Sequence, residues 1–179
     1  MKTIGNMPNV SMGLCCAALV QDIKEYLFFA GKTYSFEDYF TIGDMETSTI
    51  VVDPTAFTGD RLTFMPLVSY ALGGPILIDF YASTVADSDG LLLASSNRRI
   101  NFPAAKTILR LNPTIISIGS RFAGDIIPST GQNAPSASGA NNIETIRFEI
   151  SKNIKYAITL KNNDGANAIV QIKLTWFEE

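Results

Sequence analysis

Asp87 and Asp89 stand two residues apart in ADSDGLLL and are followed by Gly90, which is how a calcium loop opens, with oxygen ligands on alternate residues and a glycine for the bend. An EF-hand loop would need a further oxygen ligand at Leu91 and a bidentate glutamate at Arg98. Neither side chain can serve, so the stretch reads as a turn between strands, as does NNDGA around Asp164. Glu37, Asp38, Asp44 and Glu46 are close enough in sequence to supply the two carboxylates of a glycosidase, but alternating along a strand edge they read as a solvated face. Arg98 and Arg99, adjacent in SSNRRINF, would suit a carboxylate on a neighbouring subunit, since the planar guanidinium binds carboxylates in a fork; the plainer reading is an exposed pair. The glycines of ALGGP lead into a strand rather than opening a helix, so they do not form a phosphate-binding loop.

Histidine is absent from the 179 residues, which removes the commonest general base, metal ligand and partner of a nucleophilic serine or cysteine. Cys15 and Cys16 are neighbours, which pair only with strain, and no second pair gives zinc-site spacing. They are expected to be buried thiols in a reducing compartment. The sequence therefore predicts no catalytic, cofactor-binding or metal-ligating residue and no enzyme.

Charge limits the partners. Only 17% of residues are charged, against about 25% in ordinary domains. The net charge is −3 and the basic residues do not cluster, so a nucleic-acid partner is not expected. Nor is a membrane: the apolar run Leu14 to Val20 is short and is broken by Gln21, Asp22, Lys24 and Glu25. Lys2 alone makes a weak signal-peptide start.

These residues must be positioned by strands. Ile154, Tyr156, Ile158 and Leu160 alternate with Lys155, Ala157, Thr159 and Lys161, a period of two that predicts one core face and one wet face. Ile146, Phe148 and Ile150 repeat it, as do Val170, Ile172, Leu174 and Trp176 at the end of the chain. KTYSFEDYF, STIVVD, RLTFMPLVSYA, PILIDFYAST and the runs around TILRL and TIISIG add further strands. The cluster KNNDGANA predicts a hairpin turn joining the last two strands. The closing AIVQIKLTWFEE is then a final core strand held by its hairpin partner, with Glu178 and Glu179 in solvent. Many short strands with no long amphipathic helix predict an all-β antiparallel sandwich, in its jelly-roll form, over residues 33–179.

Residues 1–32 precede the sandwich. Leu14, Ala18, Leu19, Ile23, Tyr26 and Leu27 recur at spacings that suit a helix after Ser11, so the segment is either a helix or strand closing one end of the sandwich or an arm that docks on a neighbouring subunit. PSTGQNAPSASGANN, residues 128–142, lacks the apolar side chains of a core and predicts a long exposed loop: a mobile connection, an interaction tip or a segment laid along a partner.

The succession GKTYSFEDYF, ETSTIVVDP, RLTFMPLVSYA, ILIDFYASTVADSDG with SSNRR, and ISKNIKYAITLKNNDGANAIVQIKLTWFEE resembles small all-β virion proteins of tailed bacteriophages, over most of residues 31–179. The resemblance implies a structural, non-enzymatic role in the virion, assembled in the host cytoplasm. Such proteins decorate or cement the capsid by binding the major capsid protein or other virion proteins, commonly as homo-oligomers, with a trimer favoured. Residues 1–30 match no part of that pattern. The alternative is a tail- or fibre-associated receptor- or glycan-binding module that recognises its target through the 128–142 loop and exposed Tyr or Phe residues.

Overall fold

The structure is a computed structural model and describes residues 27–127, 129–130 and 148–179. The expected N-terminal helix or arm, the two cysteines and nearly all of the 128–142 loop lie outside the described residues. Of the segment 1–32, residues 27–32 are described, and there the buried Leu27 packs into the fold.

The strands are β1 (Thr33–Ile42), β2 (Thr47–Asp53), β3 (Leu62–Leu72), β4 (Ile76–Ala86), β5 (Leu91–Leu93), β6 (Ser96–Asn97), β7 (Ile108–Leu111), β8 (Ile115–Ser117), β9 (Ser120–Ile127), β10 (Ser129–Thr130), β11 (Phe148–Ile150), β12 (Lys155–Asn162) and β13 (Ala168–Glu178). One sheet runs β6-β1-β13-β3, with β10 and β11 on the far side of β3. The other runs β5-β7-β2-β12-β4, with β8 and β9 on the far side of β4. Of the eight principal strands β1, β2, β3, β4, β9, β11, β12 and β13, the first, eighth, third and sixth share one sheet and the second, seventh, fourth and fifth the other. That order is a jelly roll, as the sequence predicts.

The expected terminal hairpin does not form. β12 pairs with β2 and β4, whereas β13 pairs with β1 and β3, so residues 163–167 turn a corner between sheets. The residues after β1 and after β3 do the same, and the register places all three corners at one end: Ile42 faces Ala168, and Leu72 faces Ile169. Asn162, fully buried, ties two of them together, the one after β1 and the one after β12. Its amide donates to the carbonyls of Ile42 (3.2 Å), Gly43 (3.1 Å) and Ala166 (2.6 Å), and its Oδ1 accepts from Asp164 N. Gly73, at φ +102, lies where a Cβ would come within 2.4 Å of the Asn167 carbonyl oxygen, so this close packing of corners requires glycine.

Between the sheets the core is apolar and aromatic. Val170, Ile172, Leu174 and Trp176 are fully buried along the inner face of β13, each side chain contributing about 1.5–3 kcal/mol through burial. The Trp176 ring stacks between Tyr34 (centroids 5.9 Å apart) and Phe64 (6.0 Å). The same alternation carries Glu178 inward, which corrects its expected place in solvent: it is 6% exposed. Its carboxylate accepts hydrogen bonds from Lys106 N, Thr107 N and Trp176 Nε1, tying the segment before β7 to the end of the core strand. Glu179 is held by its backbone, accepting from Asp60 N and donating to the Arg61 carbonyl.

The face of β12 expected to be wet is also partly covered. Ala157 and Thr159 are buried there, and Ala157 joins Val51 and Ala86 in a second small cluster beneath Tyr81, Ile115 and Ile118. The segment around β8 folds over this face and is pinned by Thr84 Oγ1 donating to the Ile118 carbonyl at 2.8 Å. Lys155 and Asp53, 3.1 Å apart, bridge β12 and β2. Partial burial raises the Asp53 pKa, but hydrogen bonds from Thr55 and Lys155 outweigh it and hold the carboxyl below its usual range.

Two stability measurements follow. Glu178→Ala leaves two backbone N–H groups and the indole N–H without their acceptor, so urea unfolding is expected to show a loss of about 3 kcal/mol, against about 1 kcal/mol for Glu178→Gln, which keeps an acceptor oxygen. Because the folded pKa of Asp53 is depressed, its contribution is present above the unfolded value of about 3.9 and is lost as pH falls through the folded value. The stability gap between wild type and Asp53→Asn is therefore expected at neutral pH and should close on acidification below about pH 4. A gap that widened in acid would contradict this assignment.

Candidate interaction surface

At the end of the sandwich opposite the corners, residues 27–31 form a single turn leading into β1. Gly31 N donates to the Phe28 carbonyl (3.0 Å) and Lys32 N to the Leu27 carbonyl (2.9 Å). Gly31 closes the turn at φ +68, and a Cβ there would fall within 1.9 Å of the Phe102 ring. Phe102 thus lies directly against the turn. Asn97 on β6 holds the two segments together: its amide donates to the carbonyls of Gly31 (2.7 Å) and Pro103 (3.0 Å), and its Oδ1 accepts from Arg99 N (2.9 Å).

This scaffold leaves large apolar groups in water. Phe29 is 61% and Ile100 85% exposed, and Phe28 and Phe102 are more than a third exposed. Phe28 and Phe29 meet edge to face at 5.6 Å, and the Arg99 guanidinium sits 4.2 Å above the Phe102 ring, a contact worth about 0.5–1 kcal/mol at an exposed site. Arg98 is placed by its N–H donating to the Thr33 carbonyl. Neither Arg98 nor Arg99 has a carboxylate within ion-pair distance among the described residues. Exposed aromatic and aliphatic groups beside arginines are the composition that dominates protein interfaces.

The other candidates from the sequence are scattered. Both carboxylate oxygens of Asp89 are engaged by Thr114, from its N–H (2.7 Å) and its hydroxyl (2.6 Å), and these bonds hold the Asp89 pKa below its usual range. Asp87 N donates to the Thr114 carbonyl, and Gly90 takes φ +81, so the segment is a turn stapled to the residue before β8. Asp164 lies in the corner after Asn162. Glu37 is paired with Lys173 Nζ at 3.0 Å, Asp38 accepts from Tyr39 N, and Glu46 accepts from Gly43 N. With Asp44 these are exposed groups along β1 and the corner after it.

A shallow depression on the outer face of the second sheet is lined by Leu77, Asp79, Arg121, Gly124, Asp125 and Ile126, with Arg121 Nε 2.6 Å from Asp79. Its lining has no aromatic platform of the kind sugar sites use. Of the interaction surface, the sequence signals only Arg98 and Arg99. The exposure of Phe28, Phe29, Ile100 and Phe102 carries no periodic signal, since each sits in a turn or loop.

Gly31→Ala is expected to cost about 1–3 kcal/mol in thermal or urea unfolding, from strain at positive φ and displacement of Phe102. An unchanged transition would show that Phe102 is not seated on the turn. No protein-family model matches the chain, and no curated protein is found similar to it in sequence.

Proposed function

We propose that this chain is a non-enzymatic structural protein of a tailed-bacteriophage virion, a capsid decoration or cementing protein that binds coat subunits as a homo-oligomer. The observation that carries the reading is the exposed surface of Phe29, Ile100, Phe102, Arg98 and Arg99 beside the start of β1. In water such groups are a liability; against a partner with apolar hollows and acidic rims they become the anchors of an interface. A surface poor in charge supports the same reading, because burying an unpaired charge against a neighbour is costly. The resemblance of the strand segments to phage virion proteins supplies the kind of partner.

Co-sedimentation with capsids assembled from the coat protein of the same phage tests this. Wild-type protein is expected to travel with the particles, and the variant carrying Ile100→Asp, Phe29→Asp and Arg98→Glu to lose at least about tenfold in affinity, as expected when interface anchors are removed. A truncation that tests the N-terminal segment should stop at residue 26, since Leu27 is buried. Binding by the triple variant equal to that of wild type would overturn the assignment of this surface, and failure of the wild type to bind capsids would overturn the decoration reading.

A further inference from the structure

On one side β1 pairs with β13 along all ten of its residues; on the other it meets β6 only at Tyr34 and Ser35. Successive residues of a strand point their N–H and C=O to opposite sides, and three contacts fix which residues face away from β13. The Thr33 carbonyl accepts from Arg98 N (2.9 Å), the Ser35 carbonyl from Ser96 Oγ (3.3 Å), and Tyr39 N donates to its neighbour Asp38 Oδ1 (2.8 Å). The backbone groups of Glu37, Tyr39 and Thr41 therefore line an edge with no strand on it among the described residues.

The charges at its two ends are opposite. Arg98 and Arg99, without carboxylate partners among the described residues, lie beside the start of β1, and the exposed Asp44 and Glu46 lie beyond its end. A strand edge with opposite charges at its ends is complementary to itself when turned around. We propose that the open edge of β1 pairs antiparallel with the same edge of a second copy, about a twofold axis at Tyr39.

That register sets Tyr39 against Tyr39, an exposed aromatic pair (62% exposed in the single chain), and Glu37 against Thr41, so no two carboxylates face each other directly. It carries the start of β1 in one copy, where Arg98 is bound to Thr33, towards the acidic corner after β1 in the other, and does so at both ends, the reciprocity a twofold contact requires. A twofold axis at Glu37 would instead oppose two glutamates. The chain leaves the edge at Gly43 for the other sheet, which makes room for β6 of the partner. The Asp38 carboxylate, bound to Tyr39 N in the single chain, guards the edge and must turn to solvent on pairing. Five residues of pairing with two ion-pair clusters make a small interface, which places the affinity in the micromolar class.

Sedimentation velocity of the full chain across the micromolar range tests this independently of any capsid. The expected result is a reversible equilibrium reaching twice the chain mass, weakened by salt. Thr41→Pro removes an N–H that β13 does not use, so it should leave the thermal transition nearly unchanged and abolish the dimer. Asp38→Ala should strengthen the dimer. Arg98→Glu should weaken it about tenfold, and adding Asp44→Arg with Glu46→Arg should restore it. A monomer at all concentrations, a mass of three chains, or a dimer indifferent to both Thr41→Pro and Arg98→Glu would overturn the proposal. Should Thr41→Pro lower the thermal transition, the charge-swap variants decide.

Discussion

The structure depends on one constraint: a central strand of each sheet follows the other in sequence, so neighbours along the chain lie in different sheets. β12 is sandwiched between β2 and β4, and β13 between β1 and β3, so the few residues between them must cross a core about 10 Å thick. Polar backbone at such a crossing loses water and needs replacement partners. Asn162 supplies them, its single amide reaching carbonyls on two corners at once. With that end closed, β1, β3 and β13 are brought into register, and the remaining strands add at the sides.

Much of this is legible in the residues. Alternation locates most of the long strands, because a sandwich buries one face of each, and the strand count points to a jelly roll; β9 is not among them, since Ser120–Ile127 is exposed along nearly its whole length and carries no period of two. What alternation does not reveal is which strand pairs with which. KNNDGANA has the composition of a tight hairpin, but Asn, Asp and Gly serve a corner equally well, since both need positive φ and backbone capping. A jelly roll itself demands the corner, because its seventh and eighth strands always belong to different sheets; fold class was therefore the better guide than local composition. Glu178 teaches the converse. Its type suggests solvent, but the period of Val170, Ile172, Leu174 and Trp176 continues through it, and parity prevails because donors from Lys106, Thr107 and the indole are waiting.

The surface is less legible, for a physical reason. Inward-facing residues are constrained by a repeating geometry, whereas Phe29 and Ile100 owe their exposure to the turn at Gly31 and to the loop that Asn97 ties against it. Adjacent arginines in the sequence flagged the place but not the apolar groups around it. The outer face of β12 is illegible for a related reason: Ala157 looks like a solvent-facing residue until the segment around β8 folds over it, a contact set by distant sequence.

The same constraint leaves the edges unequal. β10 and β11 cover parts of the outer edge of β3, and β9 lies along β4, but β1 joins the sheet as a full-length strand whose other edge, among the described residues, is paired only at its start. Because the corners gather at one end, the acidic residues of the first corner are separated from the arginines by the length of β1, and the edge becomes polar along its axis. Weak contacts of this kind gain force when many copies are held side by side, since each bound copy raises the local concentration of its neighbours. If the proposed function and the proposed pairing both hold, the exposed surface at one end of β1 fixes a copy to a lattice and the edge along it ties adjacent copies across it.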